Sequence, residues 1–302
     1  LTKALMKSFR KNWDLYLMIT PVIAYFIIFD YIPMYGVQIA FKNFLASKGI
    51  WGSDWIGFLH FDRFFNSYYF WRLIKNTVGI NVYELLVAFP IPILLALLIN
   101  EVGNKHFKRF VQTVTYAPHF LSTVVMVGLV LIFLNPQKGI INILISAFGG
   151  EPVAFMTEPE WFKTIYVFSG VWQGMGWSSI IYLAALAGID PTLHEAARVD
   201  GANRLQRIWH INLPGILPTI VILLILNVGS FMAVGFEKIY LMQNSLNLES
   251  SDVISTYVYT RGILGAEYSF SAAVGLFNSV INCFLLVLVN GVARRVNETS
   301  LW

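Results

Sequence analysis

Three residue pairs inside apolar runs carry groups that could hold a polar solute: Gln173 with Trp177, Asn227 with Ser230, and Asn278 with Asn282. Positions three or four apart share one face of a helix, so each pair presents a single polar or aromatic face. Amides and hydroxyls exchange hydrogen bonds with sugar hydroxyls, and a Trp face stacks on the apolar side of a sugar ring. The same residue types also bind membrane helices to one another, so each pair has a packing reading beside the transport one. Glu84 lies in a further apolar run. A carboxylate at such depth costs about 2.5–3.5 kcal/mol on insertion scales, so it should face protein or water. It is a candidate pore-lining or gating group, or a structural hydrogen bond to a neighbouring helix.

Other chemistries find no support. There is no G-x-x-x-x-G-K-[ST], no G-x-G-x-x-G in a strand–helix context and no H-E-x-x-H, so the chain has none of those nucleotide or metal devices. The five histidines (His60, His106, His119, His194, His210) show no metal-ligand spacing, and no metal is expected. His119, after Pro118, has no acid–base partner near it in sequence, which a proton relay would need. The one cysteine, Cys283, lies in an apolar run and reads as a small packing residue. No nucleophile–base arrangement suggests an enzyme.

The densest polar stretch is Glu195 to Pro214, which carries Glu195, Arg198, Asp200, Arg204 and Arg207 between two apolar runs. Asp190-Pro191 reads as a helix N-cap followed by proline at the first helical position. The spacing predicts a short helix over 191–200, stopped at Gly201, and a second over 203–211, with Pro214 opening the next apolar run.

The elements around these residues are membrane spans. Hydrophobic residues make up 57% of the 302 and charged ones only 13%, against roughly 25% charged in soluble domains. A span needs about 20 apolar residues. The runs place six spans, near 13–32, 76–99, 111–134, 162–187, 214–236 and 271–292, in a single transmembrane domain over 1–302. The first run follows a basic segment and ends in no small-residue cleavage site, so it is read as a retained span. The segment 36–71, rich in glycine and aromatics, is too broken to span and suits a membrane surface. Short helices are expected over 140–148, ended by Gly149-Gly150, and over 252–264.

The net charge of +4 is read loop by loop as orientation, not as nucleic-acid affinity. Both ends and the 100–110 loop are basic, while 135–161 is acidic. The N and C termini and the 188–213 loop are therefore expected on the cytoplasmic side of an all-α polytopic membrane protein. No internal sequence repeat is visible, which weighs against many secondary transporters.

Glu195-Ala196-Ala197, then Gly201, Ile211 and Leu213-Pro214, resembles the EAA loop of binding-protein-dependent ABC-importer permeases at every defining position. Its place between the fourth and fifth spans also fits. Tyr31-Ile32-Pro33-Met34-Tyr35-Gly36, Phe70-Trp71-Arg72, Asn76-Thr77 and Gly275-Leu276-Phe277-Asn278-Ser279 extend the similarity to the polysaccharide/oligosaccharide branch. The resemblance implies a type I ABC importer permease fold in the bacterial cytoplasmic (inner) membrane. It implies a second, homologous permease, two ATP-binding subunits and a solute-binding protein as partners. ATP and Mg would lie on the ATPase subunits, with no cofactor on this chain. Glu195, Ala196, Ala197, Arg198, Asp200, Gly201, Leu213 and Pro214 would form the ATPase-coupling loop. Gln173, Gly174, Trp177, Asn227 and Ser230 would flank the solute. The implied cargo is an oligosaccharide or polysaccharide, with alginate one candidate, although few basic residues lie deep in the spans to favour a polyanion. A different solute class for the same machine, or a secondary transporter, is the alternative.

Overall fold

The computed structural model describes residues 11–297, so the basic start carrying Lys3, Lys7 and Arg10 lies outside the described residues. The fold is mostly helical. The described residues form two compact units: one holds those up to Ser67 together with Val258–Leu276, the other Tyr68–Tyr257 and those from Phe277 on.

In the first unit, α1 (Trp13–Phe26) runs through a π-turn, Ile27–Tyr31, into a continuous helical rod ending at Phe41. The rod passes the end expected near Ile32. Pro33 falls just after the π-turn, where a widened hydrogen-bond ladder leaves room for its ring. Beyond the rod the chain breaks into short pieces. Strands β1 (Lys42–Asn43) and β2 (Asp54–Trp55) pair antiparallel. Lys42 is buried, and its ammonium donates to the Ile50 carbonyl at 2.7 Å and lies 4.9 Å above the Trp55 ring. Helix α2 (Leu59–Phe65) turns Phe64 inward, and its Arg63 meets Glu267 at 2.6 Å.

The second unit holds the candidate sites. Helices α3 (Phe70–Val87) and α4 (Pro90–Glu101) together make one rod of span length. The third run is in two pieces: α5 (Lys105–Tyr116) with the turn Ala117–Phe120, then α6 (Thr123–Phe133), bent by 103°. Pro118 interrupts the ladder, and Ser122 caps the new helix by accepting from the Val125 N–H. Next come α7 (Ile140–Ala147) and α8 (Pro159–Ala187). Gly149 and Gly150 close α7 as expected, their N–H groups donating to the Ser146 and Ile145 carbonyls. After α8 follow α9 (Pro191–Val199), α10 (Arg204–Arg207), α11 (Leu213–Gly229) and α12 (Phe236–Met242). The helix expected over 252–264 is Ile254–Tyr259 continued by a π-turn, Thr260–Leu264. The last helix is α13 (Tyr268–Asn297), which belongs to this unit from Phe277 on.

Among the described residues, four helical rods are long and apolar enough to cross a membrane: Trp13–Phe41, Phe70–Glu101, Arg204–Gly229 and Tyr268–Arg295. The bent α5–α6 pair makes a fifth if it counts as one span. Helix α8 has the length, 29 residues, but Glu160, Lys163, Gln173 and its serines make it less apolar.

Helix α8 is the axis of the second unit, packing on α3, α4, α5 and α11. Two apolar clusters flank it. One gathers Ile80, Met126, Phe162, Tyr166, Val167 and Ile239, the other Ile93, Ala96, Leu97, Tyr182, Leu186 and Ile216. Lipid is as apolar as these side chains, so close contact rather than water exclusion holds such helices together. Gly176 shows how close. A Cβ there would lie 2.1 Å from the Thr115 carbonyl oxygen, so only glycine lets α8 meet α5.

Candidate functional site

A cleft of about 530 Å³ opens among α3, α4, α8 and the C-terminal end of α11. Its polar wall comprises Asn81, Glu84, Trp177, Ser178, Asn227 and Ser230; Phe89, Pro92, Tyr182 and Phe231 supply apolar surface. Trp177 is 47% exposed and stacks on His119, with ring centroids 4.5 Å apart and planes 5° apart. Asn227 and Ser230 are exposed, and each also donates back to its own helix, to the Leu223 and Asn227 carbonyls. The ammonium of Lys238 on α12 donates to the Tyr166 carbonyl.

The cleft thus brings together Glu84, Trp177 and the Asn227/Ser230 pair from three distant points in sequence. Four other expected path residues lie outside its wall. Gln173 donates to the Leu121 carbonyl at 3.0 Å, satisfying the backbone freed by the α5–α6 break. Asn282 accepts from the Met232 N–H at 2.7 Å, a packing bond. The Asn278 side-chain oxygen is buried, with no partner among the described residues. Gly174 is half-buried beside open space.

The polar loop forms the second place of interest. Asp190 caps α9, its carboxylate accepting the Thr192 N–H at 2.9 Å, and Pro191 takes the first turn, as the spacing predicts. That backbone hydrogen bond, joined by one from the Thr192 side chain, holds the Asp190 carboxyl below its usual range. Gly201 ends the helix at φ +78°. The Ala202 N–H donates to the Ala197 carbonyl at 2.8 Å and the Gly201 N–H to the Arg198 carbonyl at 3.1 Å, a complete Schellman closure. No residue of α9 is buried: Glu195, Ala196, Arg198 and Asp200 are exposed, Ala197 is half-buried, and Val199 is 89% exposed.

A capping box opens α10, with Asn203 and Gln206 each accepting the other's backbone N–H. The expected end of this second helix is missing. The chain passes from α10 through a π-turn, Ile208–Asn212, into α11 as one helical rod, Arg204–Gly229. Pro214 continues it for the reason given at Pro33: the π-turn ahead of it removes the clash with the preceding turn. Leu213 is half-buried and packs with Ile189 and Ile208 on the Ile93–Ile216 cluster.

Beneath α9, the end of α4 and the loop enclose a polar cleft of about 480 Å³ walled by Glu101, His194, Glu195, Arg198, Arg204 and Arg207. Here the structure shows two residues that sequence reasoning passed over. Glu101 meets Arg207 at 3.5 Å, with side chains only 17% and 11% exposed, and also accepts from the fully buried Asn212. The one available signal was Glu101 itself, the sole acid in an otherwise basic 100–110 loop. Among the described residues, no group of three or more His, Cys, Asp or Glu could hold a metal ion.

A polar cleft thus lies among α3, α4, α8 and α11, and the exposed helix α9 follows α8 and precedes the rod that carries α11. Residues 88–298 match the family model described as the inner membrane component of binding-protein-dependent transport systems. The chain belongs to this family. The permease is 45% identical over 300 residues to the polygalacturonan/rhamnogalacturonan transport system permease protein YteP of Bacillus subtilis (strain 168), covering 99% of this chain and 93% of YteP. Among solved structures, it matches a bacterial ABC transporter involved in import of the acidic polysaccharide alginate, at TM-score 0.91 and 45% identity, covering 97% of this chain and 99% of that one. A bacterial alginate ABC transporter in complex with an alginate pentasaccharide-bound periplasmic protein matches at TM-score 0.91 and 44% identity, over 98% and 99% of the two chains. The permease accordingly has the type I ABC importer permease fold and is a bacterial inner-membrane protein.

Proposed function

We propose that this permease moves an oligosaccharide or polysaccharide inward as one of two six-span membrane subunits of an ATP-driven importer. The six spans are the four apolar rods, the bent α5–α6 pair and α8, with both termini and the 188–213 loop in the cytoplasm. Two ATPase subunits bind and hydrolyse ATP with Mg, and a solute-binding protein delivers the cargo from outside. The observation that carries this reading is the cleft where Trp177, Asn227, Ser230 and Glu84 converge. An aromatic face beside amide, hydroxyl and carboxylate groups is the equipment for a sugar ring and its hydroxyls. The resemblance to permeases of alginate and polygalacturonan systems supports the same cargo class.

In the proposed mechanism α9 docks on one ATPase subunit. Leu193, Ala196 and Ala197, spaced i, i+3 and i+4, offer a low apolar face, and Leu193 and Ala196 are exposed in the isolated chain. Glu195 and Arg198 flank it with charge. Closure of the ATPase pair on ATP pushes the loop, and the spans rock from inward-open to outward-open as rigid bodies. Gln173 and Asn282 then serve the path by holding its helices in place, and Gly174 keeps the wall of α8 low.

The test is reconstitution of the complete complex in proteoliposomes with its solute-binding protein. Alginate or galacturonan oligosaccharides should stimulate ATP hydrolysis and accumulate inside. Stimulation by peptides and not by saccharides would overturn the cargo class. Uptake that persists after the ATPase subunits are omitted would overturn the energy source.

A further inference from the structure

We infer that Glu101, Arg207 and Asn212 form a latch that fixes the EAA loop to the end of α4, so that α4 moves with the loop. The inference rests on the coupling role proposed above and adds a positioning device that the EAA residues themselves do not supply.

Glu101 is the last residue of α4. An acid at that end is unfavourable, because the carbonyl end of a helix carries partial negative charge. Its position needs a compensating partner, and the structure supplies two. Glu101 Oε2 lies 3.5 Å from Arg207 Nη2, and Glu101 Oε1 accepts from Asn212 Nδ2 at 3.3 Å. Each carboxylate oxygen therefore has its own tie. Arg207 immediately precedes the π-turn Ile208–Asn212 and Asn212 ends it, so one carboxylate clamps both ends of that turn.

The latch also reaches the turn between the loop's two helices. Arg207 Nη1 donates to the Ala202 carbonyl at 3.0 Å, next to Gly201. A path of polar contacts thus runs from the stop of α9 through Arg207 to the end of α4. Asn212 is 0% exposed, which makes its tie to Glu101 costly to break without replacement. Without the latch, α4 would follow the loop only through apolar packing, which resists separation but not sliding.

The experiment uses the complete complex with E101Q, R207Q, the double variant and the conservative E101D. Two readouts are taken. The first is solute imported per ATP hydrolysed in proteoliposomes loaded with alginate oligosaccharide outside. The second needs no cargo: the width of the spin-label distance distribution between V199C on α9 and K105C just past α4, in a C283S background. E101Q and R207Q should each lower import per ATP by about fivefold, a mid-range coupling for two residues in contact. Each should also broaden the distance distribution. The double variant should be no worse than either single, and E101D should retain most of the wild-type ratio. Unchanged ratio and width in E101Q would overturn the latch, as would losses that multiply in the double variant. A wild-type complex that fails to import would count against the proposed cargo, and the distance measurement would still decide the latch.

Discussion

Replacing Gly201 with alanine isolates one physical term in the 188–213 loop. The residue sits at φ +78°, in the left-handed region, and nothing lies within 4 Å of where a Cβ would be. Space is therefore free, and the whole penalty is backbone strain of about 1–2 kcal/mol. That strain opposes the Schellman closure, in which the Ala202 N–H bonds the Ala197 carbonyl at 2.8 Å. The cheapest relief is local: the last turn of α9 opens while the spans stay packed. A cost of one or two kcal/mol multiplies the open population roughly 5–30-fold. Amide hydrogen exchange on the reconstituted complex reads this directly. Exchange at Asp200 and Ala202, whose N–H groups bond back into α9, should accelerate by that factor in G201A, and core amides of α8 should not change. G201N should fall in between, because asparagine tolerates the left-handed region better than alanine. Unchanged exchange in G201A, or asparagine as harmful as alanine, would refute the argument that backbone conformation alone demands glycine.

Four further expectations can be checked. G176A should sharply reduce recovery of folded permease in detergent, measured by size-exclusion profile, because its Cβ would meet the Thr115 carbonyl at 2.1 Å; G174A, with open space beside it, should be tolerated. Asp190's carboxyl is depressed by its bond from the Thr192 N–H, so its capping contribution is present above the ordinary value of about 3.9 and is lost as pH falls through the lower folded value. Exchange at Thr192 should therefore rise only at strongly acid pH in the wild type and be high throughout in D190A. W177A should raise the saccharide concentration needed for half-maximal ATPase stimulation by up to about tenfold, the equivalent of one aromatic stacking contact, with W177F intermediate. E195A should leave the membrane fold intact by circular dichroism, since Glu195 is exposed, while lowering ATP-driven uptake.

The residues that were legible in sequence are those whose role is local. Asp190, Pro191 and Gly201 announce a cap, a first turn and a stop, and each acts within a few residues of itself. The EAA spacing is equally local. The α5–α6 break falls inside the run read as one span, 111–134: Pro118 lies at the place, but the 103° bend also has Gln173, fifty-two residues away, taking up the Leu121 carbonyl. The continuous rod through Pro214 was hidden because a π-turn is a backbone adjustment with no side-chain signature. The polar pairs divided for a related reason. Periodicity says that two residues share a face, but not whether that face meets a cleft or another helix. Asn227 and Ser230 meet the cleft, while Asn282 meets the Met232 backbone. Glu101 and Asn212, over a hundred residues apart, become partners only through the fold.

The two ends of the 188–213 loop are built differently, and this bears on how the proposed stroke would travel. On the α8 side, helical structure stops at Ala187, and Gly188 and Ile189 are held by single turn bonds to Ala185 and Leu186, at 3.1 and 3.3 Å. Such a joint bends cheaply. On the α11 side, helix runs unbroken from Arg204 to Gly229, so displacement of α10 must displace α11. On the proposed coupling role, force from the ATPase would enter α11 directly and α8 only through side-chain packing. Asn227 and Ser230 ride on α11, whereas Trp177 rides on α8. The stroke would then slide two polar groups past an aromatic face held in place by His119 and by the Gly176–Thr115 contact. A cleft whose opposite walls move by different amounts changes its shape during the cycle, which alternating release of a sugar requires and a uniformly translated cleft could not provide.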